Sequence, residues 1–262
     1  MHWSLLLLRI ALVFYCLGFV SSFAPVLTRL KTGRLTPWLA LAGWAAHTGA
    51  LAALGTELKR CPLATAPEVL SALAWSAVLV YLAAYWRYRL DVLHVVMMPL
   101  VLVVMFVSDL LPEDVVPVSS SLQPSLLRFH ITVIIFAVAA LSISFASSVA
   151  YILLDHALKS KRPSRPGLRL PSLESCDSVG QISLLWAFPL MTLGIVTGAI
   201  VSAGINHTFW AWQPKETLAV VAWILLAVIM AARLGWGWRG RNAALLTIAA
   251  FSAVLLRMLG FY

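Results

Sequence analysis

Eight apolar stretches succeed one another along this chain, at about 3 to 25, 37 to 55, 68 to 88, 91 to 111, 126 to 157, 179 to 204, 215 to 234 and 243 to 261. Each is close to or beyond the ~20 residues an α-helix needs to cross a hydrocarbon core of about 30 Å. Inside a bilayer every backbone polar group must be satisfied within the protein, which helices achieve and open sheets do not. The sequence therefore predicts an all-α polytopic membrane protein, a bundle of about eight transmembrane helices in one domain spanning 1–262. Composition agrees: 61% of the 262 residues are apolar and 11% charged, against roughly 45–50% and about 25% in soluble domains. The chain left between the stretches is too short for a sizeable soluble domain. The first stretch has a long apolar core, no small-x-small cleavage site and a basic loop after Pro25, so it reads as a retained helix rather than a signal peptide.

A net charge of +9 would raise the question of nucleic acid in a soluble protein, but here position matters more than the sum. Arg29, Lys31 and Arg34, then Arg87 and Arg89, then Lys159, Lys161, Arg162, Arg165 and Arg169, then Arg233, Arg239 and Arg241 fall in alternate connections. The opposite connections carry Lys59, Arg60, Arg128 and Lys215 among the acids Glu57, Glu68, Asp109, Glu113, Asp114 and Glu216. The excess of Lys and Arg marks the inner side, so both termini are expected to face outward, with the bilayer and not nucleic acid as the partner. The segment 158–178 is rich in Pro, Ser and basic residues and reads as an inner-surface loop near anionic headgroups. The segment 111–125 reads as an outer interfacial connection. No repeat at a fixed period is visible. Cys16, Cys61 and Cys176 are widely spaced, with no CxxC and no His at ligand spacing, so they read as ordinary small residues. Gly194 with Gly198, and Ser144 with Ser148, are small residues at helix-contact spacing and read as packing surfaces.

Ionisable groups within a membrane are costly enough to be functional candidates. On this topology His47 lies in the outer half of the second span, His130 at the outer start of the fifth and His207 in the connection before the seventh. Imidazoles from two different helices can hold a haem iron from both sides, which makes His47 and His130 the candidate pair. Each could equally be a hydrogen-bonded packing histidine. Arg128 could pair with haem propionates through charge-assisted hydrogen bonds. Phe209, Trp210 and Trp212 precede Pro214; such tryptophans form interfacial belts, and they could also stack on a flat amphiphilic ligand. Lys215 is a candidate counter-charge, or snorkels to the interface. His94 with Met97 and Met98 sits on one helix, where the three could share an edge of a cofactor but not sandwich it, and they read as core. No nucleophile with a base, no carboxylate pair and no phosphate loop is present, which leaves hydrolysis and phosphoryl transfer without residues to carry them.

The run WAWQPKETLAVVAW (210–223) resembles the tryptophan-rich WxWDPKExW core of the cytochrome c assembly family, which includes CcsA, CcmC and HemX-type proteins. LPSLESCD (170–177), FPLMTLGIVTGA (188–199) and GWRGRNAALLTIAAF (237–251) follow the family order around it, so the likeness covers about 126–262. AAHTGAL (45–51) resembles the His-bearing second helix of HemX-type members. The resemblance implies haem handling at the outer membrane face in cytochrome c biogenesis. The implied cofactor is haem b held non-covalently, with His130 at the position of an axial ligand and the tryptophan-rich segment as cradle. It implies apocytochrome c or other maturation proteins of the membrane as partners, a bacterial plasma membrane as the location, and an assembly factor rather than an enzyme, although haem ligation is ascribed to some CcsA systems. The pattern also departs from the family. Gln213 stands where the motif has Asp, Val201 and Asn206 where tryptophans are usual, and Ala231 where a seventh-helix His is usual. No His follows the motif, so a second protein ligand must be His47 or His207. These departures keep open a structural or regulatory membrane subunit that retains the fold without haem. A solute transporter is disfavoured by the lack of an inverted repeat.

Overall fold

The computed structural model describes residues 3–27, 34–111, 124–160, 171–206, 208 and 214–258. The chain forms α1 (Trp3–Leu27), α2 (Thr36–Leu58), α3 (Ala66–Tyr88), α4 (Val92–Leu110), α5 (Pro124–Lys159), α6 (Leu173–Asn206), α7 (Pro214–Gly235) and α8 (Arg241–Met258). Each expected span is a helix, and no strand occurs among the described residues. Six of them, α1 and α3 to α7, are long and apolar enough to cross a membrane on their own. Of the other two, α2 is diluted by Thr, Gly and His, and α8 is short.

Local chemistry sets several ends. Thr65 caps α3 by accepting from the Glu68 amide, while the Glu68 carboxylate accepts from the Thr65 amide, a capping box that satisfies two donors the helix would otherwise strand. Arg60 closes on the same carboxylate with two bonds of 2.6 and 2.8 Å, and that hydrogen-bonded anion raises the Arg60 pKa above its ordinary value. Lys59 and Arg89 end α2 and α3 in the left-handed region, at φ 51° and 55°.

The helices pack as two rings of four. In the first, α1 packs on α2, α2 on α3, α3 on α4, and α4 back on α1; in the second the same circuit runs α5, α6, α7, α8 and back to α5. The rings meet where α5 lies against α3 and α4. The helix at this seam presents small residues all round: Ala137, Ala139, Ala140, Ser142, Ser144, Ala146, Ser147, Ser148 and Ala150 are all buried. Between helices in lipid, attraction comes from close packing rather than from escape from water, so the helix with the smallest side chains is the one that several neighbours can approach.

Polar side chains tie neighbouring helices within each ring. In the first, Trp75 Nε1 donates to Thr48 Oγ1 at 2.8 Å and Ser108 Oγ donates to the Pro67 carbonyl at 2.8 Å. In the second, Ser144 Oγ donates to the Gly180 carbonyl at 2.8 Å, Trp223 Nε1 donates to Thr192 Oγ1 at 2.9 Å, and Phe145 stacks on Phe251. The packing reading of Ser144 and of Gly194 with Gly198 is therefore realised, the glycines by the contacts described next.

Candidate functional site

Gly194 and Gly198 open a notch on α6 into which α5 lays Ile134 and His130, two residues one turn apart. A Cβ on Gly194 would collide with Ile134 Cδ1, and a Cβ on Gly198 would stand 2.8 Å from His130 Cε1. Real Cβ atoms do not approach so closely, so the glycines are what lets the imidazole lie against the α6 backbone. His130 Nδ1 sits 3.1 Å from Thr197 Oγ1. The ring is half-buried in the second turn of α5. The Gly198 position on α6 is about 12 Å along the axis, at 1.5 Å per residue, from the helix end at Asn206. The chain then runs directly into the tryptophan-rich segment.

His47 is placed differently. It is fully buried where α2 meets α1 and α3. Its Nδ1 lies 3.3 Å from the Tyr15 hydroxyl and its Nε2 2.9 Å from Ser71 Oγ. Both ring nitrogens are engaged by neighbouring helices, which is how a membrane histidine is satisfied as part of the packing. The hydrogen bonds of His47 to Tyr15 and Ser71 lie in the first ring and the contacts of His130 with Thr197 and Gly198 in the second, so these contacts hold the expected pair on different helix neighbours. A His47 ligand would have to give up its bond to Ser71 or to Tyr15 to reach iron.

Arg128 is exposed two residues before His130. His207, Trp210 and Trp212 lie outside the described residues, as does the side chain of Lys215. Towards the expected inner side, His94 is buried with Met97 and Met98, its Nδ1 bonded to the Tyr81 hydroxyl and its ring against Tyr85. That agrees with the core reading. Among the described residues no group of three or more His, Cys, Asp or Glu could hold a bare metal ion. A haem asks for less, because the macrocycle supplies four nitrogens and the protein one or two axial ligands.

The model of the cytochrome C assembly protein family matches residues 63–262. The chain belongs to the cytochrome c assembly family. It is 30% identical over 223 residues to the cytochrome c biogenesis protein CcsA of Prochlorococcus marinus strain MIT 9301, an alignment covering 76% of this chain and 72% of that protein. The CcsA protein of Guillardia theta is 28% identical over 220 residues, covering 76% of this chain and 72% of its own. That of Prochlorococcus marinus strain MIT 9313 is 27% identical over 288 residues and reaches 98% of this chain. The match includes α3 and α4 as well as the second ring, so it begins well before the stretch whose motifs carry the resemblance. Its role falls within cytochrome c biogenesis.

Two features of the family segment escape a reading by residue type. Thr197 is one hydroxyl in an apolar run, and only the fold sets it beside His130. Arg233 and Asp177 belong to different motifs, yet Arg233 Nη2 lies 3.1 Å from Asp177 Oδ1 with both side chains nearly buried. The Gly240 amide donates to the same oxygen at 3.4 Å. The signal was available in the order LPSLESCD, then Arg233, then GWRG, but nothing in the residues alone pairs them.

Proposed function

We propose that this protein binds haem b non-covalently at the outer end of α5 and α6 and presents it for cytochrome c maturation. His130 would be a ligand of the iron, and Trp210 and Trp212 would hold the macrocycle. Arg128 and Lys215 pair with the propionates, where charge-assisted hydrogen bonds are strongest. The observation that carries the reading is the seating of His130 against Thr197 and Gly198, two turns before α6 enters the tryptophan-rich segment. His207, within that segment, would be the second protein ligand, since His47 already has both nitrogens in hydrogen bonds between helices. Bound haem would supply iron and redox chemistry; the chain holds and orients it. The role is binding and delivery rather than catalysis, with apocytochrome c or other membrane maturation proteins as recipients and a multi-pass position in a bacterial plasma membrane.

The test is an absorption spectrum of the protein purified from cells with ample haem supply. A Soret band lost in His130→Ala and weakened in His207→Ala supports the assignment. No Soret band in the unaltered protein, or one indifferent to His130→Ala, overturns it. A second reading, a membrane subunit that keeps the fold without haem, is favoured by Val201, buried in α6 where the motif usually has tryptophan. Copurification of a stable partner complex devoid of haem would decide for it.

A further inference from the structure

The hydroxyl of Thr197 has one proton and three close neighbours. Its Oγ1 lies 2.7 Å from the Leu193 carbonyl oxygen, 3.1 Å from the Gly194 carbonyl oxygen and 3.1 Å from His130 Nδ1. Carbonyl oxygens accept and never donate. If the proton turned to His130, the hydroxyl oxygen would face the Leu193 carbonyl at 2.7 Å with lone pairs opposed. The proton therefore goes to the α6 backbone, the usual back-bond of a helical threonine. That leaves Oγ1 only an acceptor role towards the imidazole, so His130 Nδ1 must carry a hydrogen and donate it.

We infer that Thr197 is a positioning residue that fixes the tautomer of His130, placing the proton on Nδ1 and the lone pair on Nε2, so that the ring meets an iron through Nε2. In its neutral form an imidazole has one donor and one acceptor nitrogen, and the partner of one sets the identity of the other. Ligating histidines are commonly held in this way by a hydrogen bond at the nitrogen that does not bind metal, which orients the ring and raises its basicity. Gly198 supplies the other half of the support, because no side chain there pushes the ring off Thr197. His47 has no comparable assignment: its neighbours are the hydroxyls of Tyr15 and Ser71, either of which can donate or accept. The ligand role of His130 rests on the proposed function; the tautomer is argued from the Thr197 geometry on α6.

The experiment compares the full-length protein with Thr197→Val, which keeps the shape and removes the hydroxyl, and Thr197→Ser, which restores it. In the haem-free protein in lipid, selective 15N labelling of histidine, with His130→Ala to assign the signal, reads which ring nitrogen carries the proton. The expected result is a protonated Nδ1 in the unaltered protein and in Thr197→Ser, and a loss of that preference in Thr197→Val. In the haem-loaded protein, Thr197→Val is expected to raise the midpoint potential, because a less basic imidazole favours ferric iron less, and to weaken haem retention about tenfold. Thr197→Ser is expected to match the unaltered protein. A Thr197→Val protein with unchanged tautomer, potential and retention overturns the inference. An unaltered protein with Nδ1 protonated but no haem overturns the proposed function and the ligand role with it, while sustaining the tautomer.

Discussion

At the residue scale, two histidines of the same type meet opposite surroundings. His47 is enclosed by hydroxyls on α1 and α3, and its loss should register as stability. Ser71→Ala should cost about 1 kcal/mol, the order found for hydrogen bonds between membrane helices, and His47→Phe should lower the melting temperature in detergent while leaving any haem spectrum as it was. A His47→Phe protein of normal stability with an altered Soret band would return iron to His47. For His130 the decisive neighbour is a glycine. Gly198→Ala puts a methyl 2.8 Å from Cε1 of a rigid ring, so it should destabilise by about 1–3 kcal/mol through overpacking and cut haem content along with it. Gly235→Ala, where nothing lies within 4 Å, is the matching substitution that should do neither. Equal haem content in the two alanine variants would remove the notch from the site.

At the element scale, α6 and α7 are joined by few contacts for their length, and one of these is ionic. The Arg233 side chain is 4% exposed and that of Asp177 12%. Removing one member of such a pair strands the other, at a cost of about 3 kcal/mol or more. Asp177→Asn and Arg233→Leu should each lower the unfolding temperature markedly, and the double change to an apolar pair should recover part of the loss. Strictly additive effects of the two single changes would mean that the pair is not coupled. The start of α3 depends on a smaller device, the mutual cap of Thr65 and Glu68 with Arg60 behind it. Thr65→Ala should cost about 1 kcal/mol, measured as a shift in thermal unfolding.

At the scale of the whole molecule, the two closed rings predict that the chain can be cut between them. Each ring returns its last helix to its first, and the seam between the rings consists mainly of α5 against α3 and α4. Coexpressed fragments 1–117 and 118–262 should copurify through a tag on either one, since the break falls between α4 and α5 and leaves α1 to α8 each whole. Fragments that never associate, although each reaches the membrane, would mean that the linkage and not the seam holds the rings together.

The number, kind and placement of the helices could be read from the sequence because the bilayer imposes one rule on every segment: enough apolar length, and all backbone bonds satisfied locally. Family membership was legible as well, because the tryptophan-rich run and its neighbours are contiguous in the chain. What the sequence did not contain in readable form is which helices touch. His47 and His130 looked like partners because both fall at the same expected depth, but depth fixes one coordinate and leaves the azimuth around the bundle undetermined. The folded chain assigns that azimuth through small-residue notches and single hydrogen bonds. It sets His47 among the hydroxyls of the first ring, His130 on Gly198 and Thr197 in the second, and Arg233 beside Asp177. Contacts of this kind join residues tens of positions apart and depend on the pitch and crossing of whole helices, so only the tertiary structure could decide them.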